Sequence, residues 1–297
     1  VLTSRGCPYN CSFCFKGIVG RTYRHRSPDN VIGELVHCIE RYGVRSFYFI
    51  DDLFTIDVRR LEAFCHRVLE VGLDVRWQCL ARVDRVTKPI LDLMYTAGCR
   101  EVHYGVESGN PDVLKATAKH IDLNQVRQAA QWTDESGIRG KGYFILGLPG
   151  DNDQTIEDTI SFAESLPLEE AMFSIATPFP GTRMWEELVR KRPDTVYDSD
   201  FTKAYYYNSY TAEIAPFLNV SEVSDDRLSR LAIEARRRVQ QAKKKRALQR
   251  RLGARLGDAV WRVTRPQPVR AIGRSLLRLP GMARLRRNLL GSNKQWV

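Results

Sequence analysis

Nothing in this 297-residue chain approaches the ~20 uncharged apolar positions that a membrane-spanning helix needs. The opening of a secreted protein is missing too, since the first residues show neither a charged n-region nor an apolar h-region. A disulfide framework is excluded in a different way. The seven cysteines are odd in number, and Cys38, Cys65, Cys79 and Cys99 are scattered singly through helix-like and strand-like segments. These lacks lead to the expectation of reduced thiols in a cytoplasmic protein. Acidic residues are also nearly absent from the C-terminal fifth of the chain. From Arg236 onward there are 19 Lys+Arg against the single acid Asp258. The net charge of +11 therefore divides into a mildly acidic body of −7 and a tail of +18. Any affinity for nucleic acid or anionic lipid is a property of that tail alone.

With 43% apolar and 10% aromatic residues the body can bury a sizeable core. The chain opens on Val1, inside a strand-like run, and is expected to be a piece of a longer protein. Up to about residue 185, short apolar runs alternate with helical patterns. In "SPDNVIGELVHCIERYG", Ser27 stands at an N-cap, Pro28 at the first helical position and Gly43 past the end, with Ile32, Leu35, Val36 and Ile39 on one face. The runs "VLTS", "SFYFI", "VRWQCLA", "EVHYGV", "KGYFILGL" and "MFSIAT" give six expected strands, each followed by a helix. Such alternation predicts parallel strands with right-handed crossovers. A doubly wound sheet satisfies the same pattern. Polar residues clustered after several different strands favour a barrel, which builds its site from many strand ends. The expected fold is α/β, a partial (β/α)6 barrel over residues 1–185. An irregular and helical extension over 186–235 and a basic amphipathic helical tail over 236–297 follow. In the tail Leu248, Leu252, Leu256 and Val260 recur at helical spacing, as do Ile272, Leu276 and Leu279.

The most informative lack is local. "VLTSRGCPYNCSFCF" carries Cys7, Cys11 and Cys14, and no fourth cysteine follows nearby; Cys38, His25 or His37 could supply a fourth ligand, but each has a simpler explanation as a loop or helix residue. Structural zinc takes four protein ligands, commonly completed by a second CxxC or a His pair, and neither appears. Three thiolates on a short loop can instead hold three irons of a 4Fe–4S cluster and leave the fourth open to an exogenous ligand. This CxxxCxxC spacing, directly after a strand and with an aromatic before the last cysteine, resembles the radical S-adenosylmethionine superfamily.

The resemblance implies that the methionine amino and carboxylate groups of S-adenosylmethionine chelate the open iron. It further implies that the reduced cluster cleaves the sulfonium to a 5′-deoxyadenosyl radical, the protein supplying orientation and excluding water. Phe13 corresponds to the residue that packs on adenine. Asp51 and Asp52 in "FIDDLFT" stand where many members carry Gly-Gly-Glu for the methionine ammonium; one is expected to bind and the other to cap the next helix. Arg82 offers a planar fork for the methionine carboxylate, although an ordinary surface role fits equally. Glu107 in "YGVESG" occupies the ribose-binding position, and His103 shares its strand parity but reads best as a hydrogen-bonded core histidine. Ile145 and Gly147 in "FILGLPGD" correspond to the adenine-contacting segment, and "TPFPGT" to a turn into the following helix.

Taken together these motifs resemble the cobalamin-dependent branch, which includes anaerobic Mg-protoporphyrin cyclase and hopanoid methylases. That kinship implies cobalamin, a cobalamin-binding domain upstream of this chain, and C-methylation or oxidation and cyclisation of a hydrophobic metabolite such as a lipid, isoprenoid or tetrapyrrole. An electron donor such as flavodoxin or ferredoxin is implied as well. Arg-rich helices with leucine stripes and Trp261 suit the surface of a membrane better than nucleic acid. The rival readings are an RNA-modifying relative and a non-enzymatic metal-binding module with a basic arm.

Overall fold

The computed structural model describes residues 1–194, 199–204 and 215–264. The Ile272–Leu276–Leu279 stripe and most of the aromatic run after Phe201 lie outside them. The chain forms two compact units, residues 1–240 and 241–297.

Within the first unit, β3 (Ser46–Phe49), β4 (Arg76–Ala81), β5 (Cys99–Glu107), β6 (Arg139–Leu146) and β7 (Glu170–Ile175) make one parallel sheet. They lie side by side in chain order. Consecutive order leaves no switch point, so the doubly wound alternative is set aside. Along the strands, alternate residues such as Phe49, Trp77, Cys79, Val102, Tyr104, Phe144 and Phe173 are buried in the main core. The intervening Tyr48, Gln78, Lys141, Tyr143 and Met172 are half-buried. One face therefore packs into the main core, and the other carries side chains that are half-buried.

The sheet has five strands where six were expected, and β3 and β7 are its edges, so no closed barrel forms among the described residues. "VLTS" touches β3 only through Val1, which donates to Tyr48 O (2.9 Å) and accepts from Ile50 N (3.0 Å). Beyond it the Asp51 carboxylate captures the Thr3 amide (2.6 Å), a backbone donor that a longer ladder would have needed free, and also takes the Ser4 hydroxyl (2.7 Å). The chain then turns away, and β1 (Ser4–Arg5) pairs antiparallel with β2 (Arg24–His25).

The helices form largely where their punctuation places them. Ser27 caps α1 (Pro28–Tyr42) and Gly43 closes it, while Asp57 caps α2 (Val58–Glu70). That cap corrects the expectation that Asp51 or Asp52 would do so. Next comes α3 (Lys88–Thr96). The long helical stretch expected before Gly137 is two helices, α4 (Pro111–Ala116) and α5 (Leu123–Glu135). Between them Ala118 (φ 53°) and His120 (φ 55°) take left-handed backbone on either side of Lys119. Then follow α6 (Asp153–Ser165) and α7 (Arg183–Lys191), the latter capped by Thr182 of "TPFPGT".

A 28-residue helix, α8 (Asp225–Leu252), runs straight across the expected border at 235/236. Its Leu228, Leu231, Ala232, Ala235 and Val239 enter the main core. Arg227 pairs with Asp153 (2.7 Å), and Arg238 with both Glu157 (2.7 Å) and Glu164 (2.5 Å) of α6. In the second unit, the end of α8 and α9 (Ala254–Thr264) are tied through Asp258, which takes Lys245 (3.2 Å) and Gln249 Nε2 (2.8 Å). Leu256 and Val263 are exposed on α9. Among the described residues no helix is long and apolar enough to cross a membrane.

Candidate functional site: a three-cysteine loop at the strand ends

Cys7 is buried, and Cys11 and Cys14 are half-buried, on an arc held by backbone bonds from several directions. Cys7 N donates to Gly20 O (3.3 Å), Ser12 N to Thr117 O (2.8 Å) and Met184 N to Ser12 O (2.9 Å), while Cys14 N turns back on Cys11 O (3.2 Å). Burial raises the Cys11 thiol above its ordinary value, with Lys119 opposing and Glu107 and Cys14 adding to the rise. Lys16 stays protonated more firmly than usual: burial works against its charge, and the neighbouring Cys14 and Cys7 sulfurs outweigh it. No three His, Cys, Asp or Glu side chains among the described residues converge on one ion-sized point. Thiolates that each take a different iron of one cluster do not need to. Three soft sulfur donors on one anchored arc, with ammonium groups beside them to balance thiolate charge, fit such a cluster.

The strand ends bring the other expected residues towards this loop. After β3, Asp51 is buried with its carboxylate engaged by Thr3 and Ser4, whereas Asp52 is exposed and accepts from Gly6 N (3.0 Å) at the base of the loop. Arg82, after β4, is buried rather than a surface residue. It grips Asp84 in a two-point bond (2.8 and 3.2 Å), donates to Lys119 O (2.8 Å), and lies over the Tyr9 ring with its central carbon 3.7 Å from the centroid.

At the end of β5, Glu107 adopts φ 71°, a left-handed conformation costly for a residue with a side chain, at a slip in the β5–β6 register. Its carboxylate is buried in an ion pair with Lys119. Gly105 makes room for that pair, since a Cβ there would stand 2.3 Å from both Glu107 Oε1 and Lys119 Nζ. After β6, Gly147 (φ 81°) and Leu148 donate to the buried Asp151 carboxylate (both 2.9 Å), which fixes the "GLPGD" turn. Phe13 and Ile145 pack on a single small apolar cluster of Val113, Leu148, Ala176 and Met184. The loop aromatic and the β6 residue thus form one wall.

His103 is buried and hydrogen-bonded to Glu101 (2.7 Å) and Tyr143 (3.1 Å), as expected of a core histidine. Sequence reasoning missed Lys119 and Tyr9. Lys119 sits in "TAKHID", which reads as the middle of a helix, and Tyr9 occupies a spacer position of the cysteine motif. Only the fold brings them in.

The profile of the Radical SAM superfamily matches residues 1–163. The chain is 33% identical over 236 residues to an uncharacterised methyltransferase of Pyrococcus horikoshii, covering 79% of this chain and 50% of that protein. It is 30% identical over 215 residues to the anaerobic magnesium-protoporphyrin IX monomethyl ester cyclase of Rubrivivax gelatinosus, covering 72% and 38% respectively. Among solved structures, the cobalamin-dependent radical enzyme OxsB with aqua-cobalamin and S-adenosylmethionine bound aligns at a TM-score of 0.62 and 14% identity, over 94% of this chain and 49% of that one. The protein belongs to the radical SAM superfamily, a class that works with a 4Fe–4S cluster and S-adenosylmethionine. It spans about half or less of the length of these curated relatives. Membership sets aside the reading as a metal-holding scaffold with a basic arm.

Proposed function

We propose that this chain is the catalytic portion of a cobalamin-dependent radical SAM enzyme that methylates, oxidises or cyclises a hydrophobic metabolite. The observation that carries the reading is the three-thiol arc lying beside the buried Glu107–Lys119 pair at the C-terminal ends of parallel strands. Bound there, the cluster and S-adenosylmethionine supply reductive cleavage of a carbon–sulfur bond, and cobalamin supplies a methyl source. Cys7, Cys11 and Cys14 hold three irons. Phe13 and Ile145 give adenine an apolar wall, while Gly147, whose open side is filled by Leu228, shapes the turn beside it rather than admitting the ligand. Glu107 accepts from the ribose hydroxyls while Lys119 holds its carboxylate in place, and Asp52 takes the methionine ammonium. Cobalamin is supported by the similarity to the magnesium-protoporphyrin cyclase and by the likeness in fold to OxsB, whose structure holds it.

The reductant is an acidic one-electron carrier. Residues 1–28 contain five Arg or Lys and no acid, and Ile18 stands 88% exposed just past Cys14. That rim attracts a negative surface and gives it an apolar seat. Contact with anionic lipid falls to residues beyond 240, because Arg238 is committed to α6. The test is mass spectrometry of the anaerobically reconstituted chain with dithionite and S-adenosylmethionine. Formation of 5′-deoxyadenosine that disappears in Cys11→Ala supports the reading, and equal amounts from both proteins, or none from the wild type, defeat it.

A further inference from the structure

The cysteine motif leaves four residues between its first and last thiol unaccounted for beyond Phe13, and one of them is tied down with unusual care. Tyr9 lies midway along the Cys7–Cys11 arc. Its hydroxyl accepts from Arg85 Nε (2.7 Å), and the Arg82 guanidinium covers its ring at 3.7 Å. Arg85 itself stands farther off the ring, 6.0 Å from the centroid. Arg82 is in turn fixed on its edge by Asp84 (2.8 and 3.2 Å) and by Lys119 O (2.8 Å). A guanidinium with one face covered by a ring and two nitrogens already bonded is poorly placed to receive a carboxylate from a cofactor. It is well placed to hold the ring.

We infer that Tyr9, Arg82 and Arg85 form a clamp that sets the Cys7–Cys11 separation, and that Arg82 is a positioning residue of the cysteine loop rather than the ligand of the methionine carboxylate. The inference rests on the reading that this loop carries the cluster. Between Cys7 and Cys11 the chain must turn so that two sulfurs address two different irons, and each thiolate freed from that geometry makes release of the metal easier. The clamp fixes the arc to the end of β4 by a cation–π contact and one hydrogen bond. The same Arg82 holds the Lys119 carbonyl, while the Lys119 ammonium pairs with Glu107. The cysteine arc and the buried carboxylate are therefore positioned by one hub.

The test measures iron release from the reconstituted full chain into a colorimetric ferrous chelator, with thermal unfolding of the unloaded chain as a control for fold. Tyr9→Leu removes both contacts and should release iron about tenfold faster than wild type, with an unchanged unfolding midpoint. Tyr9→Phe removes only the hydroxyl bond, and Arg85→Gln that bond with its distant cation, and both should accelerate release by about two- to threefold. A wild-type rate in Tyr9→Leu overturns the clamp. If Tyr9→Leu does not fold, wild-type rates in both milder variants overturn it. Arg82→Gln that keeps its iron at the wild-type rate, yet no longer changes its reduced-cluster EPR signal on adding S-adenosylmethionine, overturns it as well and returns Arg82 to the cofactor. A wild-type chain that takes up no iron refutes the cluster itself, a failure visible before any variant is compared.

Discussion

Gly105→Ala is the smallest change that should disturb the site. The backbone at Gly105 does not need glycine's freedom, so the only penalty is the methyl group. That methyl would meet Glu107 Oε1 and Lys119 Nζ at 2.3 Å, against ordinary contact distances beginning at 3.4 Å, so each charged group must retreat by about 1 Å. Both are ends of side chains and can move, so backbone displacement is not required. The movement instead stretches a pair whose side chains are only 8% and 9% exposed. Full loss of a partner from a buried ion pair costs about 3–5 kcal/mol, and a stretched pair about half that, or about 2 kcal/mol. For a unit of this size, 2 kcal/mol lowers the melting temperature by about 4–8 °C. Calorimetry reads that shift, and EPR of the reduced cluster reads the loss of response to S-adenosylmethionine. Gly105→Ala with an unchanged melting temperature and an unchanged cofactor response would refute the reasoning.

Three further outcomes follow from the geometry. For Glu101, burial works to raise its pKa, but the His103 hydrogen bond and the charges of Arg139, His103 and Lys141 outweigh it and hold the folded value below the usual carboxylate range. Its contribution to stability is therefore complete above the unfolded carboxylate value and drains away as the pH falls through the folded one. Thermal melts should show the gap between wild type and Glu101→Gln closing between about pH 5 and pH 3, and a constant gap contradicts this. Arg238→Ala removes both anchors of α8 on α6 and should cost about 1 kcal/mol without altering iron content; an unchanged melting temperature means the anchors are solvent-screened ornaments of the surface. Stopped-flow reduction of the cluster by a reduced flavodoxin should slow with added salt and in the Arg21→Glu/Arg24→Glu pair, while dithionite reduction stays unchanged. Equal sensitivity to both reductants argues against a docking rim.

Local signals made most of the framework legible. Ser27, Pro28 and Gly43 bracket α1 as their chemistry requires, and the five strands of the sheet coincide with five of the six apolar runs. The sixth failed because the Thr3 amide goes to the Asp51 side chain instead of a strand neighbour, a tertiary choice that strand periodicity does not encode. Helix α8 ignored the composition border at 235/236 because Arg236 and Arg238 sit on its docked half, where charge reads as tail and geometry as anchor. In the site, the cysteines announce themselves by spacing. Lys119 does not, because its position depends on two left-handed residues with no glycine to mark them. Arg82 shows what residue type leaves open: a planar fork suits any carboxylate, and the one it meets among the described residues is Asp84.

The central claim is that three thiolates leave one iron of a cluster open. It is tested most directly by EPR of the anaerobically reconstituted, dithionite-reduced chain with and without S-adenosylmethionine. The account predicts a reduced 4Fe–4S signal whose shape changes when S-adenosylmethionine is added. A cluster signal indifferent to the cofactor, or no cluster at all, would contradict it.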